Sequence, residues 1–261
     1  MGHTVPIRSS PMNIDASPSS SLSRRSFLGV AGSGLAALAL RPGDAAAAGK
    51  RLRIAAVTTE YSYRSHAHVL LENFLEPYLF NGRRVDPGMD VVSLYVDQTP
   101  ANELSGLISA KYHIPIHKSI DAALCCGGDR LAVDAVLSIG EHGKYPTNAK
   151  AQIEYPRKRF FDEIIAVFRR SGRGVPLFND KHLSYRWAWA REMYDTAREM
   201  GVPFMAGSSV PLAQRIPPLE LPSGCRVEEA VSIHGGVVES YDIHALEVLQ
   251  SMVEGRKGGE T

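Results

Sequence analysis

The chain has 261 residues, 44% hydrophobic and 22% charged, the make-up of a soluble globular protein, which excludes disorder throughout. Its 29 Lys and Arg stand against 28 Asp and Glu, so no global field draws it to nucleic acid or an anionic membrane, and no local basic patch replaces one. The cysteines, the neighbours Cys125 and Cys126 and the distant Cys225, match neither a paired disulfide framework nor a zinc spacing, and reduced, partly buried thiols are expected.

Residues 1–22 are rich in Ser and Pro and lack apolar periodicity. Next come Ser23-Arg24-Arg25-Ser26-Phe27-Leu28, an apolar run from Gly29 to Leu40 and the small residues Ala45 to Ala48. An arginine pair, a modest Gly/Ala/Leu segment and an Ala-x-Ala site in that order fit a twin-arginine (Tat) export signal. The run is shorter than the roughly 20 apolar residues that cross a bilayer. Residues 1–49 are therefore expected to be a leader, with the Tat translocase as a partner and a periplasmic or extracellular destination. That pathway moves folded proteins and suits one that acquires a cofactor first.

Leu52 to Thr58 is a nearly continuous apolar stretch, as in a strand buried on both faces. A helix is expected over 65–79, a strand over 90–96, a helix from Pro100 to Tyr112 and a short strand over 115–117. Ser119 caps a helix to Leu124, and Val133 to Ile139 is another buried strand. Phe160, Phe161, Ile164, Ile165 and Phe168 mark an amphipathic helix over 156–170. A strand over 175–178, a helix over 184–200 and a strand over 202–206 complete the series. This alternation predicts a parallel, Rossmann-like, doubly wound α/β sheet over 50–207.

With these elements placed, the chain resembles the glucose-fructose oxidoreductase/inositol dehydrogenase (Gfo/Idh/MocA) family. Residues 172–209 are similar to that family's strand, Glu-Lys-Pro motif, helix and strand, here with Asn179-Asp180-Lys181-His182. Val133 to Ile139 and Asp90 to Asp97 look like its fourth and second strands. Gly235-Gly236 and Tyr241 to Leu246 resemble its Gly-rich turn and histidine helix. The resemblance implies an oxidoreductase that uses NAD or NADP on a sugar or polyol hydroxyl, with a redox-neutral cycle and a homo-oligomer among the forms it allows. The family's second domain continues as an open antiparallel sheet, so residues 208–261 are expected to be an incomplete substrate domain. A non-catalytic exported binding or scaffold protein is the alternative.

Several departures bear on this reading. The first loop, Thr58-Thr59-Glu60-Tyr61-Ser62-Tyr63, lacks the glycines that let backbone N–H groups approach a pyrophosphate, and Glu60 would repel one. Tyr61, Tyr63, Ser62 and Arg64 could bind phosphate by side chains instead, and Thr58, Thr59 and Ser62 are this loop's candidate cofactor-binding residues. His182 replaces the motif's proline. Ser240 replaces the family's aspartate, leaving Glu239 or Asp242 as substitutes.

Among single residues, Asp97 ends the second strand, where an acidic group accepts ribose hydroxyls; it could equally be a turn aspartate before Pro100. Lys181 would polarise a substrate hydroxyl or relay its proton, or else pair with Asp180. His244 is the candidate general base, because a histidine ordinarily titrates near neutrality. Glu141 and His142, after the fourth strand, would reach the nicotinamide side or serve as turn residues. His66 and His68 lie two apart and cannot share a helix face, and Pro115 separates His113 from His117, so no metal site is expected. Trp187 and Trp189, with Tyr185, are expected to pack or form an interface.

Overall fold

A computed structural model describes residues 50–258, and the twin-arginine pattern lies outside the described residues. The strands are β1 (Leu52–Thr58), β2 (Tyr78–Phe80), β3 (Arg83–Val85), β4 (Met89–Val96), β5 (Ile116–His117), β6 (Ala135–Ile139), β7 (Leu177–Asp180) and β8 (Phe204–Gly207). The helices are α1 (His66–Leu75), α2 (Ser105–Tyr112), α3 (Ile120–Leu124), α4 (Arg157–Ser171), α5 (Trp187–Glu199) and α6 (Val238–Val253). A 3₁₀ turn spans Val210–Leu212.

Six strands pair in the order β5-β4-β1-β6-β7-β8, all parallel. Counted along the sheet's own strands this is 3-2-1-4-5-6, the Rossmann order, so the fold class read from the sequence is the one observed. β1 is central and covered on both faces, which is why it reads as an unbroken apolar run. Ala55 and Val57 join α4's Phe160, Ile164 and Phe168 in one core, while Ile54 and Ala56 join α1's Ala67 and Leu71 in the other. Thr58 lies level with Val96 and Ile139, so β1, β4 and β6 end together at the edge where this architecture binds ligands.

Two expectations need correction. The first helix stops at Leu75, and β2 and β3 form a hairpin across Asn81-Gly82, whose φ values of 49° and 74° are those of a tight primed turn. The helix expected from Pro100 starts at Ser105, because Glu103 N–H bonds the Pro100 carbonyl in a turn and the Glu103 carboxylate then accepts from Ser105 N–H. Smaller shifts are informative too. Ser119 caps α3 by accepting from Ala122 N–H, and β7 runs on through the polar Asn179 and Asp180, both buried. After β8, the described residues contain the 3₁₀ turn and α6 but no strand.

Gly140 follows β6 where the chain passes the start of α4. A Cβ at this position would lie 2.7 Å from Cγ of Arg157. Gly140→Ala is therefore expected to lower stability by about 1–3 kcal/mol in denaturant titration. Gly106→Ala, at an open position in α2, should leave stability unchanged or raise it.

Candidate functional site

The loops after β1, β6, β7 and β8 meet at the C-terminal edge of the sheet, around the β1–β6 switch where the strand order reverses. The deepest charge there is Arg157, the first residue of α4, only 1% exposed. Its guanidinium is ion-paired with Glu141, lies 5.0 Å from the Tyr155 ring centroid and bonds His182 Nε2 through Nη1 at 3.3 Å. Lys181 Nζ reaches the other Glu141 oxygen at 3.4 Å. Burial pushes Arg157 down, with Glu141 opposing. Burial and then the Arg157 charge push His182 down to about 4. Neutral His182 thus accepts at Nε2 and carries its hydrogen on Nδ1. That Nδ1 and Arg157 Nε are buried without a partner among the described residues.

Beside this network stands a second one. His66 opens α1, and its Nδ1–H donates to Asp180 Oδ2 at 2.5 Å; the Asp180 side chain is 5% exposed and that of His66 27%. The His142 ring stacks at a tilt 5.0 Å from the His66 ring, and His142 Nδ1 accepts the His66 backbone N–H at 3.4 Å. Burial, followed by the neighbouring His66, holds His142 below the ordinary histidine range. His142 and Lys181 both adopt left-handed backbone, with φ of 71° and 63°. Such conformations are uncommon for residues other than glycine and mark constrained positions.

A third group gathers where β8 ends. Glu247 accepts from Ser208 N–H at 3.1 Å, Ser208 Oγ at 2.6 Å and His244 Nδ1 at 3.1 Å. The Lys181 N–H bonds the Gly207 carbonyl at 3.0 Å, tying this group to the end of β7.

Lys181, Glu141, His142 and His244 therefore gather at this edge, but with partners other than those expected. The carboxylate beside Lys181 is Glu141, because β7 sends Asp180 to His66 on α1. The carboxylate on His244 is Glu247, one turn later; Asp242 bonds Ile243 N–H instead. Thr58 is buried and donates to the Tyr95 carbonyl, Thr59 is buried and donates to the Glu141 carbonyl, and Ser62 donates to Glu60. Asp97 accepts from Tyr95 Oη at 2.6 Å, Tyr145 Oη at 2.7 Å and Arg159 at 2.5 Å. Its burial pushes the carboxyl up, but these bonds outweigh burial and hold it below the usual range. Tyr185 precedes α5 instead of lying on it and stacks edge-on against Trp189 at 5.5 Å, while Trp187 is exposed.

The residues around α1's first turn do not fit a pyrophosphate held by loop and helix N–H groups. Ser65 Oγ caps His68 N–H, His142 takes His66 N–H, and the Tyr61 side chain is fully buried beneath the loop. His66, Arg157 and Glu247 escaped sequence reasoning. A signal existed for the first two: His66 directly follows a helix-capping serine at the ligand edge, and Arg157 opens an otherwise apolar helix face.

No family model and no curated protein matches the chain. Solved structures do. A Gfo/Idh/MocA family oxidoreductase from Vibrio cholerae is similar at 18% identity and a TM-score of 0.40, over 61% of this chain and 39% of that one. Myo-inositol 2-dehydrogenase from Lactobacillus plantarum gives 14% and 0.38, over 60% and 36%. Biliverdin reductase from Synechocystis, in complex with biliverdin and NADP+, gives 15% and 0.38, over 60% and 37%. The chain spans well under half the length of each.

His182 gives the site a pH signature. Because its folded pKa lies below that of an unfolded histidine, its contribution to stability is complete above about pH 6.5 and is lost as pH falls toward 4. The loss is on the order of 3 kcal/mol across that window. His182→Gln is expected to flatten the dependence of unfolding free energy on pH between those limits. An unchanged slope would contradict a buried neutral imidazole. The similar structures include oxidoreductases of the family whose motifs the sequence resembles, while the Rossmann-like fold of this chain rests on its own strand order.

Proposed function

We propose that this chain is an exported enzyme acting on a hydroxyl of a sugar or polyol at the C-terminal edge of its sheet. The observation that carries the reading is the His66–Asp180 pair. A buried carboxylate holds Nδ1–H of a partly exposed imidazole, leaving Nε2 as the nitrogen available to a ligand, the arrangement by which a base is fixed in tautomer and orientation. In this reading His66 Nε2 takes the hydroxyl proton. Lys181, held against Glu141, donates to the same oxygen as it gains charge. His244, oriented by Glu247, stands ready for a second hydroxyl. The segment after Gly207, which carries His244, supplies the substrate-side wall.

A second reading is NAD(P)-dependent oxidation of that hydroxyl, favoured by the 3-2-1-4-5-6 strand order and by Asp97 at the end of the second sheet strand. A nicotinamide would supply the hydride acceptor. The engaged first turn of α1 and the three donors on Asp97 weigh against it.

The test is a screen of hexoses, inositols and their acids by ligand-observed NMR, first for binding and then for product. His66→Gln and Asp180→Asn should each lower turnover of the substrate found by about 100-fold or more while binding persists. Binding without turnover in the unaltered chain would favour a binding protein. Turnover untouched by both substitutions would remove His66 from the chemistry.

A further inference from the structure

A dinucleotide-binding Rossmann domain needs open donors where the first helix begins, since the pyrophosphate sits there on loop and helix N–H groups. In this chain the first and third residues of α1 have spent theirs. His66 N–H is bonded to His142 Nδ1 and His68 N–H to Ser65 Oγ. The loop itself is pinned on both sides: Thr59 N–H bonds the Ile139 carbonyl, and the Tyr61 carbonyl accepts from Leu104 N–H. The Tyr61 ring is fully buried in the core with α1's Ala67 and Leu71, and the loop has no glycine to let a phosphate approach its backbone.

Charge points the same way. The carboxylates of Glu60 and Glu141 lie at this crevice, Asp180 is taken by His66, and the cations Arg157 and Lys181 are already engaged by Glu141, while Arg64 lies over the Tyr63 ring at 5.4 Å. Glu60 lies close enough to act on the His142 imidazole, so a pyrophosphate here would meet a carboxylate.

We infer that the chain has given up the dinucleotide: His142 and Glu60 fill the pyrophosphate place at the start of α1, and the crevice takes a neutral, phosphate-free, hydroxyl-rich ligand. The closed phosphate site and the His66–Asp180 pair are physically linked, because the His142 imidazole that takes the His66 N–H also packs against the His66 ring. The exclusion stands on the loop and on α1 alone. It holds whichever hydroxyl reaction the His66–Asp180 pair performs.

The experiment uses the purified chain with NAD⁺, NADH, NADP⁺ and NADPH at millimolar concentration. It follows thermal unfolding and calorimetric heat, and analyses the small molecules released on denaturation. No stabilisation, no heat and no released nicotinamide are expected, since a ligand well above its Kd would raise the midpoint measurably. Saturable binding or a co-purified nicotinamide overturns the inference. The His142→Ala/Glu60→Gln double variant is then titrated with inorganic pyrophosphate. Affinity should rise roughly tenfold or more over the unaltered chain. No rise would overturn the assignment of the exclusion to these side chains. Neither readout depends on turnover, so failure here is distinguishable from failure of the proton-transfer reading.

Discussion

A guanidinium taken out of water at the start of α4 is the constraint on which the rest of the site depends. Arg157 is solvated by its own chain: a carboxylate on Glu141, an imidazole nitrogen on His182 and the face of Tyr155. Pairs of this kind contribute little net stability compared with an apolar replacement, yet losing one partner leaves an uncompensated buried charge and costs several kcal/mol. The loop after β6 and the start of the loop after β7 are thereby held against α4. Gly140 is the residue that lets the backbone pass Arg157 closely enough for the pair to form.

From that anchor the remaining geometry follows. Glu141 has a second oxygen, which holds Lys181, and Lys181 is held in left-handed backbone by its N–H bond to Gly207. The adjoining end of β7 delivers Asp180 across the sheet edge to α1. His66 opens α1, Asp180 ends β7 and Lys181 starts the loop after it, so these proton-handling side chains sit where elements end, in positions set by parallel strands and two packed cores. The buried, neutral His182 beside Arg157 makes the arrangement sensitive to acid, because protonation would place a second cation where one is already desolvated.

The strands of the sheet were legible because burial on both faces writes itself as an apolar run, and β1, β4 and β6 carry that pattern. The hairpin of β2 and β3 went unread: Asn81-Gly82 is a turn signal, but strands of three residues each are too short to show an alternation. Lys181, Glu141, His142 and His244 could be nominated because motif and loop position both point to them. Their partners could not. His66 and Asp180 are 114 residues apart, and periodicity reports which residues are buried without reporting which buried polar groups meet. For the same reason Asp180 was expected beside Lys181, its neighbour in sequence, whereas alternate residues of a strand edge point to different sides and the carboxylate goes to α1. The glycine-free loop was the sequence feature that spoke most directly to function. The fold explains its consequence, since Tyr61 anchors the loop in the core and the α1 donors beside it are already used.

The most direct test of this account is a double-mutant cycle on the buried pair, using Arg157→Met, Glu141→Gln and the two together, read as unfolding free energy in urea. Each single substitution should cost about 3–5 kcal/mol by stranding a buried group, and the double should cost clearly less than the sum. Additive losses would show that Arg157 and Glu141 are not coupled and would contradict the account at its base.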